Sequence, residues 1–207
     1  MERIKTWQLQ FFLMIANIII DPNRPQKNKT LENEVSKQGI MARVWRAIPD
    51  SNSVKRSINL SHKQIVKYAK ESRLAGVCIL EEDVKFYGEN GWRYFLENIP
   101  ADYDIYLGGV YGPTPDTHTM RGAEKPAEFI VKEFSGFHCY LVNERFYDNY
   151  LSVPDNTHID GLMKNLGKFV VCYPFAALQH PGWSSNCRKN TDYNKQIPLE
   201  DIYEGTR

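Results

Sequence analysis

Apolar and polar positions fall in blocks that read strand, helix, strand from the start of the chain. Residues 11–20 are almost wholly apolar and close on Ile18-Ile19-Ile20, followed by the turn signal Asp21-Pro22-Asn23. Ile15 to Ile20 is therefore predicted as a buried first strand. Gln26 to Lys37 is polar apart from Leu31 and Val35, which lie four apart, and Gly39 follows, the pattern of a short amphipathic helix with glycine past its end. Met41 to Ile48 is a second strand candidate. A β-α-β opening favours a parallel α/β sheet.

The alternation continues. Asn59-Leu60-Ser61-His62 leads into a helix predicted from about Lys63 to Ser72, with Ser61 as its cap and Ile65, Val66 and Ala69 as its apolar face. Val77 to Leu80 is the short apolar run expected of a central strand buried on both faces. Three acids follow at once: Glu81, Glu82 and Asp83. Tyr87 to Asn98 is predicted helical, and Tyr103 to Leu107 a strand ending in Gly108-Gly109. Residues 111–128 hold three prolines and two glycines and read as a long loop. Phe129 to Phe134, Cys139 to Val142 and Phe169 to Tyr173 are strand candidates. Asn143 to Leu151 and Gly161 to Leu166 are helix candidates, the second opened by His158-Ile159-Asp160. Pro174 to Trp183 reads as irregular. The expected architecture is a single α/β domain over residues 1–187, with a mostly parallel central sheet flanked by helices, and a polar tail over 188–207.

Composition narrows the classes. A chain of 207 residues can bury a core without disulfides or structural metals. A net charge of +1 gives no electrostatic case for nucleic acid as a partner. None of the four cysteines forms a C-x-x-C pair, so zinc-ribbon spacing is absent. Cys78, Cys139 and Cys172 sit in apolar, strand-like runs, as buried small hydrophobes do. A reducing, cytoplasmic setting fits this usage. The apolar run 11–20 has about half the length of a membrane span, so no transmembrane segment is expected there. No small-residue cleavage pattern precedes Asp21, which favours a strand over a signal peptide.

The acidic triplet carries the candidate chemistry. Carboxylates at the carboxyl end of a parallel strand are where α/β folds place ligands. In an extended segment Glu81 and Asp83 share a face and Glu82 points away. Two clustered carboxylates repel unless a cation lies between them or one of them stays protonated. Mg²⁺ or Mn²⁺ suits the position, because such ions use one or two protein carboxylates and complete their shell from substrate phosphate and water. The alternative is a solvated acidic loop after a strand.

At these residues the chain resembles the family-25 glycosyltransferases, which make lipopolysaccharide and collagen-type sugar linkages. The matching segments are Ile20-Asp21-Pro22-Asn23-Arg24, Leu60-Ser61-His62, Leu80-Glu81-Glu82-Asp83-Val84, Gly136-Phe137-His138-Cys139-Tyr140-Leu141, Ile159-Asp160, and Pro174 to Gln179 with Ser184-Ser185. Their order is that of the family. Glu82 replaces the usual middle aspartate, and Pro22 is inserted before Arg24. The resemblance implies a GT-A-like fold, a divalent metal, a nucleotide-sugar donor (a UDP-sugar first), and inverting transfer to a hydroxyl of a glycan, lipopolysaccharide or protein. It places Arg24, Ser61, His62 and Glu81 at the donor, and Glu81 and Asp83 at the metal, with His180 completing the shell. Asp160 is the candidate general base, since inverting transfer needs a group to take the acceptor's proton.

Each has a plainer reading. His62 serves equally as a packing residue, Asp160 as a charge welcome at a helix start, and His180 as a surface histidine in a Pro-Gly loop. Trp183 and Tyr111 suit either sugar stacking or packing. Two other functions compete: a nucleotidyltransferase, which usually adds a glycine-rich phosphate loop that residues 21–29 lack, and a catalytically idle sugar- or protein-binding relative.

Overall fold

The computed structural model describes residues 14–111, 126–132, 134–163, 165–185 and 187–205. The first part of the apolar run 11–20 and most of the predicted loop 111–128 lie outside them. In chain order the strands are β1 Ala16–Ile20, β2 Ala42–Arg46, β3 Gly76–Leu80, β4 Val84–Phe86, β5 Ile105–Leu107, β6 Ala127–Val131, β7 Cys139–Asn143, β8 Phe169–Tyr173, β9 Ala177–Gln179, β10 Gly182–Ser184 and β11 Lys189–Thr191. The helices are α1 Pro25–Lys37, α2 Val54–Glu71, α3 Gly91–Glu97, α4 Tyr147–Ser152 and α5 Ile159–Met163.

Seven strands form one sheet in the order β2-β1-β3-β7-β5-β8-β6. β1 pairs in parallel with β2 and β3, and β5 with β8, while β7 and β6 run antiparallel to their neighbours. Five strands thus point one way and two the other, a mostly parallel α/β sheet flanked by helices. β3 lies between β1 and β7, and its side chains alternate between two apolar layers. Val77 and Ile79 join Ile65, Val66 and Ala69 of α2. Cys78 and Leu80 join Leu31 of α1 and Trp92, Phe95 and Leu96 of α3. Each fully buried Ile or Leu here contributes about 1.5–3 kcal/mol relative to exposure. Asn17, buried in β1, laces the parallel strands together: its Nδ2 donates to Cys78 O at 3.1 Å and its Oδ1 accepts from Trp45 Nε1 at 2.9 Å. Cys78, Cys139 and Cys172 are buried, as their runs predict.

Several elements differ from the sequence expectation. α2 begins at Val54, with Ser53 as its cap accepting from Arg56 N. Ser61 is therefore an interior helix residue, not a cap. Its hydroxyl donates to Ser57 O at 2.6 Å and accepts from Ile48 N at 2.8 Å, while Ser57 Oγ donates to Ile48 O at 2.6 Å. These bonds pin the segment after β2 onto α2. The helix expected over 87–98 is shorter and runs Gly91–Glu97, because Tyr87 N donates to Ala176 O at 3.1 Å, extending the β4–β9 pairing, and Gly88 turns the chain at φ +66°. The region 174–183, read as irregular, supplies β9 and begins β10. The segment read as a polar tail is also folded. β11 pairs with β10, Asp201 is fully buried with its Oδ1 accepting from Tyr173 OH at 2.7 Å, and Ile202 joins the core. No helix among the described residues is long and apolar enough to cross a membrane.

Candidate active site

The chain leaves β3 at Leu80 and turns at once, with Glu81 N donating to His138 O at 3.0 Å and Val84 N to Glu81 O at 3.1 Å. The turn, rather than a continued strand, carries the three acids, yet it sorts them as alternation would. Gln179 Nε2 donates to Glu81 Oε2 and to Asp83 Oδ1, at 3.3 Å each. Glu81 and Asp83 thus converge on one point, while Glu82 faces away toward Arg24 and Lys27.

Each acid is held by a different partner. Glu81 Oε1 meets His62 Nε2 at 3.0 Å, and His62 Nδ1 meets Tyr140 OH at 2.6 Å, itself 2.7 Å from Tyr150 OH. His62 is only 2 % exposed. This buried chain fixes the imidazole and aims Glu81. Burial pushes the Glu81 carboxyl up, but the His62 hydrogen bond and nearby positive charge outweigh it and hold Glu81 below the usual carboxylate range. Asp83 moves the other way: burial and then the charge of Glu81 raise it, against the pull of Lys27. Lys27 Nζ lies 3.0 Å from Asp83 Oδ2 and 3.6 Å from Glu82 Oε1. Glu82 is raised by burial, despite its ion pair with Arg24. Arg24 also donates to Ser185 Oγ at 2.8 Å and Trp183 O at 3.2 Å, so it ties the end of β1 to β10.

The site opens into a cleft of about 670 Å³ at the carboxyl ends of β1, β2 and β3. That size lies within the range of small-molecule sites, and the location is the one α/β sheets use for ligands. Arg24, Ser61, His62, Glu81 and Asp160 all line it. Asp160 enters from α5, across the cleft. Its Oδ2 accepts from Gly136 N at 3.2 Å and its Oδ1 from Gly161 N at 2.8 Å. Gly136 makes this approach with φ +106°, where a Cβ would strike Tyr111 and His138. The loop before α5 is anchored to α2 by Asn59, whose Nδ2 donates to the carbonyls of Asp155 at 3.0 Å and Thr157 at 2.7 Å.

His180 does not join the pair as a third side-chain ligand. Its backbone N–H donates to Asp83 O at 2.6 Å, and its Nε2 is buried with no hydrogen-bond partner among the described residues. Among the described residues no group of three His, Cys, Asp or Glu side chains could hold a metal. Two carboxylates that share a point 3.3 Å from each do fit a hard cation. Mg²⁺ or Mn²⁺ needs oxygens at about 2.0–2.2 Å and keeps open positions for phosphate and water. A small inward shift of Glu81 and Asp83, with Gln179 moving off, would meet that need.

Two site residues, Lys27 and Asn194, carry no sequence signal as candidates, while Gln179 enters only as the end of the Pro174 to Gln179 match and Tyr111 only as a stacking alternative. Lys27 lies on a polar helix face. Gln179 is placed by Gly108-Gly109: Ala177 N donates to Gly108 O at 3.0 Å, and a Cβ on Gly109 would lie 2.1 Å from Ala177 O. Asn194 and Tyr111 hold its backbone, Asn194 Nδ2 donating to Gln179 O at 2.7 Å and Tyr111 OH accepting from Gln179 N. Trp183 is exposed, and Tyr111 is buried against His138 and Tyr193.

No family model matches the chain, and no curated protein matches it. Among solved structures it is similar to A197 from STIV, at 15% identity over 90% of this chain and 97% of that one, with a TM-score of 0.42. It is similar to HddC from Yersinia pseudotuberculosis complexed with GMP-PN, at 13% identity over 77% and 89%, TM-score 0.46. It is also similar to a glycosyltransferase involved in the glycosylation of the major capsid of PBCV-1, at 14% identity over 66% and 63%, TM-score 0.39.

Proposed function

We propose that the chain is a metal-dependent glycosyltransferase of the family-25 kind, moving a sugar from a nucleotide-sugar donor, a UDP-sugar first, to a hydroxyl of a glycan or protein, with inversion. One observation carries the reading: Glu81 and Asp83 converge on Gln179 Nε2 at the carboxyl ends of parallel strands, Glu81 and Gln179 lining the ligand-sized cleft and Asp83 the adjoining cavity.

In this reading Glu81 and Asp83 hold Mg²⁺ or Mn²⁺, which when bound neutralises the charge developing on the departing diphosphate. His62 keeps Glu81 ionised and aimed, with Tyr140 and Tyr150 behind it. Arg24 lines the cleft and Lys27 the adjoining cavity, so both present positive charge beside the acidic pair. Asp160, opposite, takes the proton of the acceptor hydroxyl, and its two backbone N–H bonds hold the carboxylate in place for that role.

Calorimetry with UDP and a panel of UDP-sugars, with Mn²⁺ and in EDTA, tests the reading. UDP is expected to bind more tightly with Mn²⁺, and Asp83→Ala to abolish the gain together with donor turnover. Equal UDP affinity in EDTA would leave a metal-independent, catalytically idle binder. No binding of any nucleotide would reject the donor altogether.

A further inference from the structure

We propose that Lys27 is a resident counter-ion of the acidic pair, which a divalent cation must displace and which then passes to the donor's diphosphate. The inference rests on the function proposed above and concerns how that site fills.

Both oxygens of Asp83 are engaged by the protein. Oδ1 accepts from Gln179, and Oδ2 takes the Lys27 ammonium at 3.0 Å. Lys27 is thus an intramolecular competitor for any metal that uses Asp83. A metal arriving with Lys27 in place meets a like charge a few ångströms away.

Displacement is open to Lys27 and not to Arg24. Arg24 is tied down at three points, to Glu82, Ser185 and Trp183. Among the described residues Lys27 has only carboxylate partners, and its side chain borders a second cavity of about 340 Å³ between α1 and the segment 180–183. The chain has four methylenes and room to swing. Glu81, Glu82 and Asp83 carry three negative charges against two on Arg24 and Lys27, and a divalent cation turns that deficit into an excess. A diphosphate restores the balance and gives the released ammonium a new partner. Metal and diphosphate binding are therefore coupled through one side chain, and by linkage each strengthens the other equally.

The test measures Mn²⁺ affinity by electron paramagnetic resonance, with and without UDP, for the wild type, Lys27→Met and Lys27→Arg. Lys27→Met is expected to bind Mn²⁺ alone about two- to fivefold more tightly than wild type, the scale of one charge pair near the surface. The factor by which UDP strengthens Mn²⁺ binding should shrink by a similar amount. Lys27→Arg keeps the cation and should stay near wild type in Mn²⁺ affinity, which separates charge from packing. Unchanged or weaker Mn²⁺ binding by Lys27→Met overturns the proposal, and so does an undiminished UDP effect. If Lys27→Met gains Mn²⁺ affinity while no protein binds UDP, the counter-ion stands at the metal and the nucleotide-sugar reading fails.

Discussion

Replacing His62 with leucine removes two hydrogen bonds at once from the centre of the site. His62 Nδ1 lies 2.6 Å from Tyr140 OH and its Nε2 3.0 Å from Glu81 Oε1. A buried group stripped of its partner costs about 1–3 kcal/mol, more when charged. Tyr140 keeps Tyr150 as a partner and sits at the low end; among the described residues the Glu81 carboxylate keeps only the 3.3 Å contact from Gln179 and sits at the high end. The sum is about 3–4 kcal/mol at neutral pH, or roughly 10 °C in Tm for a domain of this size. The loss should also depend on pH. Glu81 is held below its ordinary 4.5, so it contributes stability above that value and loses it as pH falls through the folded value. In the leucine variant the chief downward influence is gone and burial raises the carboxyl. The deficit against wild type is therefore largest near pH 7 and shrinks as the pH is lowered toward 4. Urea unfolding of both proteins at intervals between those values reads it directly. A deficit below about 1 kcal/mol at pH 7, or one that stays constant with pH, would refute the claim that His62 supports an ionised Glu81.

Three further changes probe other parts of the site. Asp160→Asn keeps the shape and removes the basicity; transfer rate should fall about 10²- to 10⁴-fold while UDP affinity by calorimetry stays within twofold, and near-normal transfer would reduce Asp160 to a helix-start charge. Glu82→Gln leaves the converging pair intact but weakens the hold on Arg24 and Lys27; stability should drop by about 1 kcal/mol with turnover reduced less than tenfold, and a loss rivalling that of Asp83→Ala would mean that Glu82 is a ligand. Gly109→Ala places a Cβ 2.1 Å from Ala177 O, so β9 must move; a cost of about 2–3 kcal/mol in unfolding is expected, and a neutral effect would contradict the close approach that positions Gln179.

The elements legible in the sequence are those whose burial writes a pattern. Val77 to Leu80 is apolar throughout because its residues face two layers, and the acids after it stand out for the same reason. α1 shows itself through Leu31 and the glycine past its end. The start of α2 is hidden because its first turn, Val54 to Ser57, is polar or solvent-facing, while Leu60-Ser61-His62 resembles a start only by residue type. Ser61 and His62 are buried polar residues inside the helix, and their partners, Ile48, Tyr140 and Glu81, are distant in sequence. Side-chain bonds to remote residues also explain why residues 188–205 read as a tail: Asn194, bonded to the Gln179 carbonyl, and Asp201, bonded to the Tyr173 hydroxyl, hold the fold without any apolar period. The antiparallel placement of β7 beside β3 is likewise absent from the pattern, since periodicity gives a strand and not its neighbour. The pairing of Glu81 with Asp83 is expected from alternation and is produced by a turn.

The central claim is that this pair holds a cation against a nucleotide diphosphate. Anomalous diffraction at the manganese edge, from crystals grown with UDP and Mn²⁺, tests it most directly. The account requires a peak within about 2.0–2.4 Å of an Asp83 carboxylate oxygen, shared with diphosphate oxygens, and Lys27 Nζ withdrawn from its 3.0 Å contact with Asp83. UDP bound in the cleft with no peak at Glu81 and Asp83, or a peak coordinated elsewhere, would contradict it.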